Sequence, residues 1–430
     1  MGRFCLVLLT LLFLASCQGE PLATNPAVEV RKEGDRYVLY RHGSPYFIKG
    51  AAGDAYLDKI AQYGGNSIRT WNTREAGRIL DEAAQYGLTV TLGLEVGNEW
   101  WGDDFSYWDG DAVDEKIEEL RKVVEQYKDH PALLMWGVGN EVHLFGGNQI
   151  MVLRTIDRIA KMIKETDPNH PVMTAVPLGP NFKRRGLMRL LCPNVDVLGV
   201  NGFKRLPLLQ EEIRDTFGWN KAYLLSEWGP VGPWESPTTD WGAPIEESSS
   251  RKAQLMSYYW DVTTRDTTHF VGGYAFYWGN KYERTYSFYS LFSPEGYETE
   301  SVQVLQQIWL GIEHQNYNQH LRVDSLHINS TIANSNLYLR SKSVNIAYIF
   351  IHAPVDHHLE YCWEIRPEGL DNFKPGEFNT VLDYLVEEQN GPSVRFVAPE
   401  REGGYRLIVW VFDGLQYVAT HNVPFYVIVP

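Results

Sequence analysis

The chain has 430 residues and a net charge of −15. It is too long for one small domain and too acidic to seek nucleic acid, whose phosphates call for a basic face. Aromatic residues make up 13 % of it, with 14 Trp and 25 Tyr; such rings stack on the C–H faces of sugars, so a neutral or weakly charged glycan suits this composition. Two of the four cysteines, Cys5 and Cys17, lie at the N-terminus, and Cys192 and Cys362 fall in different predicted domains, which argues against a disulfide framework. No residue cluster has metal-ligand spacing, and neither metal nor cofactor is expected.

Arg3 precedes the apolar run Phe4 to Leu14 and then Ala15-Ser16-Cys17, which reads as a short secretory signal. Leu14-Ala15-Ser16-Cys17 resembles a bacterial lipobox, which implies cleavage before Cys17 and a lipid on its thiol. Gln18 in place of Asp resembles the pattern for outer-membrane delivery. The expectation is an outer-membrane or cell-surface lipoprotein of a Gram-negative bacterium, with residues 1–17 as the leader and the periplasmic face left open.

After a polar tether, Tyr37 to Tyr40 and Tyr46 to Gly50 read as a hairpin leading into a buried strand. Seven more short apolar runs follow, at Asn66 to Trp71, Leu88 to Leu94, Leu133 to Val138, Val172 to Val176, Val195 to Val200, Ala222 to Ser226 and Val271 to Trp278. Amphipathic stretches separate many of them, such as Arg74 to Gln85, Val113 to Tyr127, Asn148 to Glu165 and Arg251 to Thr263. Eight buried strands alternating with helices predict a (β/α)8 barrel over 27–318. From 319 to 430 the pattern turns to strand alternation with Trp363 and Tyr405 placed as in Ig-like sandwiches, so a small β-sandwich is expected. We read it as a spacer, because its strands show no clear aromatic platform.

Two glutamates end apolar strands: Glu141 after Leu133 to Asn140, and Glu227 after Ala222 to Ser226. In a barrel that end builds the active site, and two carboxylates on different strands are the minimal equipment for glycosidic cleavage. Loop aromatics on the same face, including Trp101, Trp228, Trp234 and Tyr282, suggest an extended cleft that stacks sugars.

Asn140-Glu141 after the fourth strand and Glu227 after the seventh resemble clan A of the glycoside hydrolases, the retaining barrel enzymes. Ser67-Ile68-Arg69-Thr70-Trp71, Asp167-Pro168-Asn169-His170-Pro171 and Phe276-Tyr277-Trp278 extend the resemblance over residues 36–311. It implies Glu141 as general acid/base, Glu227 as nucleophile, Arg69 as support for the nucleophile, Asn140 on the sugar's 2-hydroxyl, and Trp278 as the floor of the −1 subsite. One departure is Phe203, standing where many members carry a tyrosine that bonds the nucleophile; Asn201, Tyr282 or Tyr286 would have to substitute. Gly139-Asn140-Glu141-Val142, with the leader and Ig-like tail, resembles the endo-β-1,3-glucanases of glycoside hydrolase family 158. The implied partner is a polysaccharide or oligosaccharide, besides the membrane reached through Cys17; protein partners stay open. Alternatives are a β-mannanase, β-1,4-glucanase or exo-β-glycosidase, or, in another class, a non-catalytic surface glycan-binding lipoprotein.

Overall fold

The computed structural model describes residues 26–97, 103–142, 149–179, 186–215, 218–312, 321–332, 336–353, 358–386 and 390–429. The leader with Cys17 and the loop residue Trp101 lie outside the described residues.

The chain enters through an antiparallel sheet of β1 (Val28–Glu33), β2 (Arg36–Arg41) and β3 (Ser44–Pro45). Then come β4 (Ile48–Ala52), α1 (Leu57–Gln62), β5 (Ser67–Arg69), α2 (Ala76–Gln85), β6 (Thr89–Leu94), α3 (Gly110–Tyr127), β7 (Leu133–Asn140) and α4 (Gln149–Thr166). The second half follows as β8 (Val172–Pro177), α5 (Gly186–Leu191), β9 (Val197–Gly202), α6 (Leu209–Arg214), β10 (Tyr223–Trp228), α7 (Ser249–Thr264), β11 (Phe270–Ala275) and α8 (Glu300–Leu310). Strands β4 to β11 are parallel and close in chain order, with β11 pairing back to β4. The expected eight-stranded barrel is the observed one.

Local chemistry accounts for these elements. The strands are near-continuous apolar runs because both their faces are covered, one by the barrel interior and one by helices. Helix α3 begins where the Asp109 side chain accepts from the backbone amides of Asp111 and Ala112, which satisfies two donors that a helix start leaves open. It buries Val113, Ile117, Leu120 and Val124 on one stripe. Helix α8 stops at Gly311, whose φ of 67° is left-handed and suits glycine at a C-cap. The six-residue helices α1, α5 and α6 were not expected, since so short a segment shows no helical period.

The entry sheet plugs the bottom of the barrel. Val28 N donates to the Asn169 carbonyl and Tyr37 N to that of Thr268, in the turns that lead into β8 and β11. Val28 and Leu39 pack with Ile48, Leu134, Met135, Met173 and Leu224. Only the carboxyl end of the strands is left open for chemistry.

The C-terminal part is a sandwich of two four-stranded sheets. Its strands are β12 (Arg322–Ile328), β13 (Thr331–Ile332), β14 (Tyr338–Arg340), β15 (Val344–His352), β16 (Glu360–Pro367), β17 (Ser393–Val397), β18 (Gly403–Phe412) and β19 (Val418–Ile428). They are ordered β13-β12-β15-β17 and β14-β19-β18-β16. Trp363 is buried in the core, with Ile365, Phe396, Leu407 and Phe425. The Tyr405 hydroxyl donates to the Arg401 carbonyl four residues upstream (2.9 Å), as a tyrosine corner does.

Buried polar groups tie the sandwich to the loops that follow β10 and β11. Glu246 accepts from Thr285 Oγ1 (2.7 Å), Ser287 Oγ (2.8 Å) and the sandwich's Asn422 Nδ2 (2.7 Å), and it pairs with Lys252. Arg406, fully buried, bonds Glu368, Asn422 and the Pro244 carbonyl. Arg284 N donates to the Asn372 carbonyl. Buried polar groups are expensive unless every one is paired, so this junction holds one geometry.

Candidate active site

Both glutamates are aimed by irregular strand ends. Along a regular strand Asn140 and Glu141 would face opposite sides. Here the β7–β8 pairing slips between Gly137 and Asn140, and Gly139 (φ 65°) and Glu141 (φ 54°) are both left-handed. For a glutamate this conformation costs about 1 kcal/mol or more. The β10–β9 pairing slips likewise between Leu225 and Glu227. Such bulges redirect side chains, and here they bring the carboxylates into one network.

Arg69 organises it from the end of β5. Its Nη1 donates to Glu227 Oε1 (2.9 Å) and to the Ser226 carbonyl (2.9 Å), and its Nη2 to Asn140 Oδ1 (2.7 Å). Trp71 Nε1 also donates to Glu227 Oε1 (2.7 Å). Asn201 Nδ2 donates to Asn140 Oδ1 (3.1 Å) and to Glu141 Oε1 (2.9 Å), while its Oδ1 accepts from Ser226 Oγ (2.6 Å). The amide orientations follow: Asn140 Oδ1 faces two donors, so its Nδ2 protons are what it can offer a ligand.

The two carboxyls sit in different electrostatic settings. Glu227 is held by a guanidinium and an indole N–H, both suited to an anion. Glu141 receives only an amide. Burial and the charge of Glu227 push its pKa up to about 7, against the Asn201 bond and the Arg69 charge. The carboxyl clamped by Arg69 and Trp71 is placed to suit a nucleophile and the raised one an acid, the division that acid–base cleavage with a nucleophile requires.

Aromatic rings wall the site. Trp71 stacks on Tyr277 (6.0 Å between centroids) and meets Phe276 edge-on (5.9 Å). Phe203 lies against Tyr289 (4.9 Å), Phe276 (6.2 Å) and Trp234 (6.3 Å). Trp234 is 55 % exposed, open to a ligand. Lys281 places its ammonium over the Phe276 ring (5.1 Å) and pairs with Glu283 (3.0 Å).

The structure thus brings together Arg69, Asn140, Glu141, Asn201 and Glu227, with Trp234 beyond Phe203. Three aromatics expected at the cleft are elsewhere. Trp278 is fully buried, packed between Trp309 and Phe292 with Nε1 directed at the Tyr56 carbonyl; Phe276 and Tyr277 meet Trp71 instead. Trp228 is fully buried against Trp260 of α7, turned to the helix layer. The Tyr282 hydroxyl bonds the Asp371 carbonyl (3.2 Å) and that of Tyr286 bonds Asn379 (2.7 Å), so both tyrosines face the sandwich and neither replaces the missing strand-six hydroxyl. Trp71 donates to Glu227 instead. Its place two residues after Arg69, on the same side of an extended segment, was the sequence signal for it. Asn201 spends both amide protons on Asn140 and Glu141, so it positions the acid rather than contacting sugar. Among the described residues no group of three or more His, Cys, Asp or Glu could hold a metal.

Comparison with known proteins bears on the barrel that carries this site. Residues 60–227 match the family model for glycosyl hydrolases family 2, TIM barrel domain, a stretch that includes all five members of the network. A mannan endo-1,4-beta-mannosidase F of Aspergillus clavatus is 22 % identical over 178 residues, 30 % of this chain and 40 % of the relative. A beta-glucuronidase of Chlorocebus aethiops is 24 % identical over 232 residues, 49 % of this chain and 32 % of the relative. The solved beta-glucuronidase of Bacteroides uniformis superposes with a TM-score of 0.51 at 14 % identity, over 94 % of this chain and 48 % of that one; at that identity the likeness concerns the fold. The chain spans less than half the length of each of these relatives. Over residues 60–227 the chain is thus similar to a glycoside hydrolase TIM-barrel domain.

Proposed function

We propose that this chain is a retaining glycoside hydrolase with Glu227 as nucleophile and Glu141 as acid/base. The observation that carries the proposal is the asymmetry of the pair: an anion clamped by Arg69 and Trp71 beside a carboxyl raised to about 7. In the first step Glu141 protonates the glycosidic oxygen while Glu227 attacks the anomeric carbon, and the bond to the leaving sugar breaks. In the second, Glu141 takes a proton from water, the water oxygen bonds to the anomeric carbon, and Glu227 departs. Asn140 offers its amide protons to the sugar's 2-hydroxyl.

The proposed substrate is β-1,3-glucan, cut internally. The Gly-Asn-Glu-Val acid motif and the open aromatic shelf at Trp234 support it. A second reading, a β-glucuronide, is favoured by Lys281, whose ammonium lies over the rings beside Trp71 and would share its Glu283 pairing with a uronate; relatives named as beta-glucuronidases agree. Reducing-end release from laminarin, mannan and carboxymethylcellulose, with an aryl β-glucuronide alongside, decides. Mixed laminari-oligosaccharides before glucose support the first reading, and activity confined to the glucuronide replaces it with the second. Glu227→Ala is expected to abolish turnover, and azide to restore it with inverted anomeric configuration; near-normal activity without azide would overturn the nucleophile assignment. We also infer lipidation at Cys17, and palmitate labelling that survives Cys17→Ser would overturn it.

A further inference from the structure

Besides the catalytic mouth, the molecule has a groove where the β11–α8 loop meets the sandwich. It encloses about 500 Å³, within the usual range of small-ligand sites. Its floor is the outer face of the β14-β19-β18-β16 sheet. In that register Cys362 lies opposite Trp410 and Glu364 opposite Ile408, while the alternate residues Trp363, Ile365, Leu407 and Val409 fill the sandwich core. The walls carry polar groups: Tyr286 and Glu295 from the barrel loop, Asn379 from the sandwich, and the Glu364–Arg366 pair (2.8 Å). None of these residues belongs to the Arg69–Glu227 network.

The lining selects a ligand class. Arg366 is committed to Glu364 and to the Phe378 carbonyl (2.9 Å), so with Glu295 the groove is net negative and repels anions. A purely apolar ligand would cover the Glu295 carboxylate and offer it no donor. A neutral, hydroxyl-rich molecule with flat C–H faces meets both demands, with a ring against the half-buried Tyr286 and hydroxyls donated to Glu295 and Glu364. We propose that this groove is a second, non-catalytic saccharide site. The choice of saccharide rests on the glycan reading above; the groove itself does not.

Cys362 reports on it directly. It is an exposed free thiol in the groove, while Cys192 is buried and serves as an internal control. The experiment alkylates the full chain with iodoacetamide, with and without laminaritriose, mannotriose or cellotriose at ~10 mM, and follows each cysteine by peptide mass spectrometry. One trisaccharide should slow Cys362 alkylation about fivefold, as mass action gives for a Kd of a few millimolar. Asn379→Trp, which fills the groove, and Glu295→Ala should each remove that sugar-dependent protection. Unchanged rates with every trisaccharide, protection by citrate but by no sugar, or protection that survives both variants would overturn the site. Hydrolysis of the same sugars is assayed in parallel. Hydrolysis without protection overturns the groove alone, and protection with no hydrolysis of these sugars, of the polysaccharides or of the aryl β-glucuronide overturns the catalytic reading alone.

Discussion

Trp71 and Asn201 do at the residue scale what the site's carboxylates cannot do for themselves. The Trp71 indole donates to Glu227 on the same oxygen as Arg69, and a hydrogen bond to a charged acceptor is worth about 2 kcal/mol. Trp71→Phe keeps the ring and loses the donor. It should lower kcat/KM by about thirtyfold with the thermal midpoint little changed; kinetics on an aryl glycoside check this. Asn201 holds the ionised form of Glu141, so Asn201→Ala should raise that pKa and shift the alkaline limb of the pH–rate profile upward. Glu227 acts in the other direction, its charge raising Glu141 from the ordinary range to about 7. In Glu227→Gln the Glu141 carboxyl should therefore titrate lower, which carbon-detected NMR of the side chain would read. Activity in the wild type should fall as pH rises through about 7, because the acid then loses its proton.

At the scale of elements, sequence periodicity was informative wherever an element was long. All eight barrel strands and the long helices were legible because buried runs and amphipathic stripes repeat over enough residues to be seen. Arg69, Asn140, Glu141 and Glu227 were legible as strand-end residues. What alternation could not show was the pair of bulges in β7 and β10 that rotate the two glutamates into one network. Nor could it show which of several aromatics after β11 turns inward. Trp278 drew attention as a tryptophan, yet Phe276 and Tyr277 meet Trp71. Tyr282 was placed at the cleft because its loop is there, but partners distant in sequence, Asp371 and Phe378, hold it elsewhere. That loop is linked to the sandwich through Glu246 of the β10–α7 loop, which accepts from Thr285, from Ser287 and from the Asn422 amide (2.7 Å). Asn422→Ala leaves Glu246 short of a buried donor and should cost about 1–3 kcal/mol of stability. The same variant should reduce kcat more than it changes KM for a small aryl glycoside, since Lys281 and Glu283 share the loop. Thermal unfolding and steady-state kinetics on one preparation test both halves.

For the whole molecule, the barrel and the sandwich share a core. Tyr282 and Phe378 pack with Ile408, Trp410 and Val418 across the junction, and Arg406 reaches the Pro244 carbonyl from the sandwich side. A chain cut at residue 318 would expose Tyr282 and leave Glu246 without its sandwich donor Asn422. The separated barrel is expected to be insoluble or inactive, and a soluble fragment with full turnover would show the junction to be dispensable. The grip of the sandwich on the β11–α8 loop also constrains how such a protein can be recombined. The linker near 319 looks in the sequence like the natural seam for exchanging one tail for another. The true seam runs before Gly229, inside the barrel, because the loop after β10 that carries Glu246 and Pro244, and the loop after β11, both travel with the tail. Chimeras crossed over upstream of Gly229 should outnumber, among active clones, those joined at the linker.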